Sequence, residues 1–116
     1  MSAVGGTPES DRFGRRAAAR EINGRQVNEA IERGEKDAGD ASFVCECGYL
    51  GCTETVDLSI AAYEDVRSNF DRFLIVPGHE IDEVDEIVER HPGYHVVVKR
   101  EGEPREMARS ADERTP

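Results

Sequence analysis

The sequence CECGYLGC, residues 45–52, holds all three cysteines of the chain, Cys45, Cys47 and Cys52. Side chains two residues apart in an extended segment point the same way, so the first two thiols are expected to lie together. The two glycines of the stretch permit tight turns that return the third thiol to them. Three clustered thiols cannot all pair within one chain, and in a cytosolic protein they favour metal binding over a structural disulfide.

Zinc is the metal that this donor set suggests, because zinc is held tetrahedrally by four thiolate or imidazole ligands. The candidates for the fourth ligand are His79, His91 and His95, with Glu46 and Asp57 less suited. The residues themselves leave this choice open. Two interpretations without metal are also possible for the cluster: redox-active thiols or inert buried cysteines.

Strand direction bears on the choice of histidine. If the strand that begins at Thr55 runs parallel to the strand that begins at Phe73, His79 lies at the end away from the cysteines, and His91 or His95 is nearer. If the two strands are antiparallel, His79 is close. His79 also follows the Pro77-Gly78 turn, which is a rigid place for a ligand.

Across the whole chain, hydrophobic periodicity and turn residues predict the element order α-β-β-α-β-α-β. A βαβ unit with a right-handed crossover is expected to contain the last two strands. In the first helix, Val27, Ala30 and Ile31 are expected to face the core. The predicted helices are Ala18–Lys36, Ser59–Asn69 and Asp82–Arg90, and the predicted strands are Ser42–Cys45, Thr55–Leu58, Phe73–Val76 and Tyr94–Lys99.

The fold class expected is α+β, with a small mixed sheet of about four short strands, two packed helices, a preceding N-terminal helix and disordered tails. Residues 1–17 are predicted to be a disordered basic arm and residues 18–37 the N-terminal helix. Residues 42–100 form the α+β domain with the cysteine cluster, and residues 101–116 a disordered tail. A core of about 60 residues buries only about 60% of its unfolded surface, so a metal staple is physically reasonable.

Charge and hydropathy limit the classes of partner that the chain is expected to bind. The formal net charge is -10, which makes general nucleic-acid binding unfavourable. No apolar run is long enough to span a membrane, and the first ten residues lack the features of a secretory signal. A cytoplasmic protein with a protein partner is therefore expected. The basic cluster Arg12, Arg15, Arg16 and Arg20 is expected to be a solvated arm or, alternatively, to dock on an acidic partner or nucleic acid.

Several segments together resemble a family of short, uncharacterised bacterial proteins with the pattern F-x-C-E-C…C…Y-E-x-V-R…P-G-H…Y-x-V-V-x-K. The matching residues run from Phe43 to Lys99, and a helix over residues 23–31 resembles the one that often precedes them. The resemblance implies that the cysteines and the Pro77-Gly78-His79 turn form one unit, with His79 as the fourth ligand. It implies no activity.

No catalytic motif is recognisable in the chain, because a phosphate-binding loop, a nucleophile elbow and paired metalloprotease histidines are all missing from it. The first functional hypothesis is a binding module with one structural zinc per chain, acting as an adaptor or regulator. The second is a thiol redox switch that uses the same cysteines, and the third is a small enzyme with a nucleophilic cysteine beside His79. In the first hypothesis Phe43, Tyr49 and Leu50 are expected to shield the sulfurs.

Overall fold

The computed structural model describes residues 8–112, which form three helices and five strands in two small antiparallel sheets. The α+β class is thereby confirmed. Residues 1–7 of the predicted arm and 113–116 of the predicted tail lie outside the described residues. The elements are α1 (Pro8–Glu35), β1 (Asp40–Val44), β2 (Thr55–Ser59), α2 (Ile60–Arg67), β3 (Arg72–Ile75), β4 (Asp85–His91), β5 (Tyr94–Lys99) and α3 (Glu103–Ser110).

The strands form two sheets where one mixed sheet was expected. β1 and β2 pair as an antiparallel hairpin, with Phe43 opposite Val56. The second sheet has the order β3-β5-β4, and both of its pairings are antiparallel. The expected parallel βαβ unit is therefore wrong.

The error arises at the predicted helix Asp82–Arg90, which is largely strand β4 in the structure. His91 pairs with Tyr94 across a two-residue turn in which Gly93 has a φ of 89°. A turn this short joins adjacent antiparallel strands, whereas a parallel crossover needs a dozen residues or more. Ile81 and Val84, which precede the strand, lie three residues apart like residues of one helical face, and a bulge between Ile87 and Glu89 interrupts the alternation within the strand. Val88, within this strand, is exposed.

Helix α1 begins at Pro8, ten residues before the predicted start. The predicted disorder is therefore wrong for residues 8–17, and Ala17 is fully buried. The predicted apolar stripe is also wrong, because Val27 is 48% exposed. The helix instead buries polar side chains, among them Arg25 and Asn28, whose hydrogen-bond partners lie on other elements. Arg25, for example, donates to the carbonyl oxygens of Phe70 and Ala108.

The predicted disorder of residues 101–116 is wrong where α3 forms. Pro104 lies in the first turn of α3, where its missing N–H leaves no hydrogen bond unmade. Ala108 is fully buried and Met107 packs against the main hydrophobic cluster. Polar contacts with α1 and α2 hold this helix. Because the segment contains few apolar residues, hydrophobic patterning could not predict these contacts.

Two ionic clusters lie inside the fold. Arg67 of α2 donates through Nε to Glu29 of α1 at 2.9 Å and through Nη2 to Asp112, just beyond α3, at 2.9 Å. Lys99 of β5 contacts Glu21 of α1 and Asp85 of β4, and all three side chains are fully buried. Each cluster joins elements distant in sequence. The Arg67 cluster therefore ties the helices to one another by charge, and the Lys99 cluster ties α1 to the three-stranded sheet.

The main hydrophobic cluster includes the side chains of Cys45 and Cys47 together with Phe73, Ile75 and Val97. The cysteine loop connects β1 and β2 of the two-stranded sheet. It nevertheless packs onto the three-stranded sheet. Among the described residues, no helix is both long enough and apolar enough to cross a membrane.

Candidate metal centre

The four predicted ligands come from two segments that the backbone holds side by side. Cys45 follows β1, and its N–H donates to the carbonyl of Glu54, which extends the hairpin. The next N–H, of Glu46, donates to the carbonyl of Leu74 in β3 at 2.7 Å. His79 follows β3 in a turn closed by its N–H and the carbonyl of Val76. The hairpin loop and the end of β3 therefore meet at the seam between the sheets.

At this seam Cys45, Cys47, Cys52 and His79 form a group whose ligand atoms all lie within 4.8 Å of one another. Nδ1 of His79 is 3.6 Å from Sγ of Cys45 and 3.6 Å from Sγ of Cys52. Sulfurs bound to one tetrahedral zinc lie about 3.8 Å apart, given a Zn–S bond of about 2.3 Å. A group of this size can hold a metal ion with only a small contraction.

The other two histidines lie elsewhere. His91 stacks on Tyr94 with ring centroids 4.5 Å apart, and its Nε2 is 2.8 Å from a carboxylate oxygen of Glu89. His95 pairs with Ile75 within the three-stranded sheet. Strand direction would bear on the choice of histidine only if the strands at Thr55 and Phe73 belonged to one sheet. They lie in separate sheets, so the cysteine loop reaches His79 across the seam.

Glu46 has a positioning role that the sequence analysis missed. It is fully buried, and its Oε2 accepts hydrogen bonds from Tyr63 Oη at 2.5 Å and Asn28 Nδ2 at 2.8 Å. Its Oε1 accepts from the N–H of Leu74 at 2.8 Å. Burial raises the pKa of this carboxyl group, while the three donors oppose the shift. Its carboxylate thus ties the backbone between Cys45 and Cys47 to α1, α2 and β3. The position of this acidic residue between two cysteines of the cluster was the one feature of the sequence that could have indicated its role.

Cys45 and Cys47 share a hydrogen bond that shifts the pKa values of the two thiols in opposite directions. The hydrogen bond with Cys45 lowers the pKa of Cys47 to about 5, although burial opposes this shift. The same hydrogen bond, together with burial, raises the pKa of Cys45. The shared hydrogen bond therefore favours the thiolate form of Cys47, and thiolate is the form that binds metal. The N–H of Val76 donates to Sγ of Cys45 at 3.2 Å, so backbone polarity also favours negative charge on this sulfur.

No family model, curated protein or solved structure matches this chain. The chemistry of the cluster therefore carries the functional argument.

The cluster is open on one side. Phe43 stacks on Tyr63 in the second hydrophobic cluster, and Leu50 is 84% exposed, so the expected shield of the sulfurs is incomplete. Tyr49 contacts His79 edge to face, with ring centroids 5.8 Å apart. Beside these rings lies an open pocket of about 470 Å³. Its lining consists of Tyr49, Leu50, Gly51, Cys52, Thr53, Glu54, Gly78 and His79.

Gly48 is the point at which α1 presses on the cysteine loop. A Cβ atom at this position would lie 2.8 Å from Cβ of Ala17 and 2.9 Å from Cδ1 of Ile81. Gly48→Ala is therefore expected to lower the free energy of unfolding by about 1–3 kcal/mol through overpacking. Denaturant unfolding of the variant checks this value.

Gly34→Ala is the matched control for Gly48→Ala. A Cβ atom at Gly34, in the last turns of α1, meets nothing within 4 Å. Alanine there should raise the free energy of unfolding by up to about 1 kcal/mol through helix propensity. Equal stability of Gly48→Ala and the wild type would contradict the close packing of α1 on the loop.

Proposed function

We propose that this protein binds one zinc ion per chain through Cys45, Cys47, Cys52 and His79. The observation that carries the proposal is the convergence of these four ligand atoms within 4.8 Å, from segments 27 to 34 residues apart. Three thiolates and one imidazole are a donor set typical of structural zinc. Hard cations such as magnesium and calcium prefer oxygen ligands, which this group does not offer.

The proposed zinc is structural. Four protein ligands complete a tetrahedral shell and leave no position for water or substrate, which catalysis by zinc requires. Cys45 and Cys47 are buried in the main hydrophobic cluster, and His79 comes from the segment after β3. The metal would therefore tie the hairpin sheet to the three-stranded sheet, in addition to the packing of Phe43 and Val56 against Leu74.

The biological role that we attach to this module is that of a cytoplasmic adaptor or regulator with a protein partner. The exposed loop tip at Tyr49 and Leu50 supports the choice, because zinc at the adjacent ligands would fix its shape. The net charge of -10 favours a partner other than nucleic acid.

The proposal predicts about one zinc per chain in protein purified under reducing conditions without added metal. His79→Ala should lower zinc affinity by at least about 100-fold, since even the partners of metal ligands contribute about 10–100-fold. His79→Cys should retain zinc, because four thiolates also suit the ion. Elemental analysis and competition with a chromogenic chelator measure both quantities.

His91→Ala is the matched control for the histidine variants, because His91 stacks on Tyr94 away from the cluster. Its zinc affinity should equal that of the wild type. Reduced wild-type protein without metal would overturn the proposed function.

A further inference from the structure

The three sulfur ligands differ in their access to solvent. Cys45 is 8% exposed and Cys47 is 4% exposed, and both belong to the main hydrophobic cluster. Cys52 is only partly buried and packs at the margin of that cluster. Because thiol oxidation by a reagent in solution requires direct contact with sulfur, access distinguishes Cys52 from the other two.

The open pocket beside the centre makes the same distinction. Cys52 and His79 line it, whereas Cys45 and Cys47 do not. The walls next to Cys52 include Gly51 and Gly78, which have no side chains to obstruct an approach. A volume of about 470 Å³ admits a small molecule such as hydrogen peroxide or a short-chain organic hydroperoxide.

The partners needed for a second step are already in place. Sγ atoms of Cys45 and Cys47 lie within 4.8 Å of Sγ of Cys52, and a disulfide requires them to close to about 2.05 Å. The loop between Cys47 and Cys52 contains Gly51 with a φ of 78° and lies at the surface, so it can supply this movement.

We propose that Cys52 is the oxidation site of the centre, at which a hydroperoxide entering the pocket triggers release of the zinc. This inference rests on the proposed zinc centre and adds its regulation. It makes the binding module responsive to peroxide through one defined sulfur.

The chemistry proceeds in two steps. The Cys52 sulfur attacks the terminal oxygen of the hydroperoxide, the O–O bond breaks, and the leaving oxygen takes up a proton to become water or an alcohol. The sulfur is now a sulfenic acid. A neighbouring cysteine thiolate then attacks it, an S–S bond forms, and the S–O bond breaks with loss of hydroxide, which is protonated to water. In sum, two thiols and one hydroperoxide give a disulfide, an alcohol or water, and water.

Formation of the disulfide removes two of the four zinc ligands. The remaining thiolate and imidazole no longer form a closed tetrahedral site, so zinc is released. A dithiol reductant returns two electrons to the disulfide, and the restored thiolates can bind zinc again. The cycle is therefore reversible as long as the sulfur is not oxidised beyond the sulfenic acid.

The test uses zinc-loaded wild-type protein and less than one equivalent of hydrogen peroxide. Dimedone traps sulfenic acid, peptide mass spectrometry locates the adduct, and a chromogenic indicator follows zinc. We expect at least about five-fold more adduct on Cys52 than on either buried cysteine, in keeping with the dependence of sulfenylation on access. Zinc should appear at the rate of Cys52 oxidation and should rebind after addition of dithiothreitol. Adduct first on Cys45 or Cys47, or evenly on all three, would overturn the inference.

A pair of variants tests the role of the pocket. Thr53→Trp fills space next to Cys52 and should slow its labelling by about three-fold or more, because access limits the reaction. Ala61→Trp, at an exposed position of α2 outside the pocket lining, should leave the rate unchanged. The wild-type labelling order decides the inference even if the Thr53 variant loses metal.

Zinc content measured before peroxide is added separates the two proposals. Absence of zinc refutes the proposed function. A labelling order other than Cys52 first, in zinc-loaded protein, refutes only the oxidation site.

Discussion

Replacing Cys47 by serine is expected to lower the melting temperature and the zinc content together. The proposed zinc would bind residues that converge in the folded chain, so its binding free energy would add to the stability of the fold. That contribution is about 10–16 kcal/mol in zinc-binding peptides, as large as the whole stability of a typical domain, about 5–15 kcal/mol. Cys47 is buried, so serine there also leaves a hydroxyl group in an apolar cluster. Calorimetry and elemental analysis of the same samples measure both effects.

A chelator separates the effect of the metal from the effect of packing. If Cys47 acts as a zinc ligand, excess chelator should destabilise the wild type strongly and the variant little, so that their melting temperatures converge. If the difference between the two melting temperatures is as large with chelator as without it, the lower stability of the variant results from packing alone. A Cys47 variant that keeps full stability and metal but loses a measurable turnover would instead favour a cysteine-dependent enzyme.

Arg67→Ala is expected to lower the free energy of unfolding by about 3–5 kcal/mol, the usual effect of removing one partner from a buried ion pair. The Arg67 side chain is fully buried and donates to Glu29 and Asp112. Alanine leaves these two carboxylates close together without the cation between them. Because they belong to α1 and to the end of α3, both helices should loosen. Hydrogen exchange of their amides would report this locally, and denaturant unfolding would report it globally.

The surface ion pair between Arg72 and Glu89 provides the matched control. Their side chains are partly exposed and lie 3.2 Å apart. Arg72→Ala should lower the free energy of unfolding by no more than about 1 kcal/mol, because water and salt screen such pairs. A loss below about 1 kcal/mol for Arg67→Ala as well would show that the buried cluster does not hold the helices.

Local signals predicted much of the hairpin and of α2. Ser59, at the start of the predicted helix, caps α2, since its hydroxyl accepts the N–H of Ala62 at 3.0 Å. The apolar run at Phe73 forms β3 and is buried, as its composition indicated. The spacing of the cysteines and the glycines between them indicated that the thiols converge, and the structure brings them together. In each case the deciding interactions lie within a few residues of one another.

Long-range polar contacts account for what could not be predicted. Arg25 and Lys99 have the composition of surface residues, yet both are buried because their partners arrive from distant segments. Arg25 bonds Ala108, which is 83 residues away. Hydrophobic periodicity registers none of these pairings, so it assigned the wrong inner face to α1 and disorder to α3. The bulge in β4 shifts the alternation of its side chains by one residue, so the segment lacked the regular pattern from which a strand is predicted.

The position of the ligands along the chain also affects how the protein is made. All four ligands lie within the first 79 of 116 residues. Among the described strands β3 pairs with β5, which is synthesised later, so on a growing chain all four residues are present before the three-stranded sheet can form. Zinc captured at that stage would close the loop from Cys45 to His79 and hold β3 near the hairpin until its partner strand emerges. If the centre binds zinc as proposed, a chain made without the metal would have to bring the hairpin and β3 together through the Glu46 hydrogen bonds and the packing of Phe43 and Val56 on Leu74, while its thiols stayed unligated.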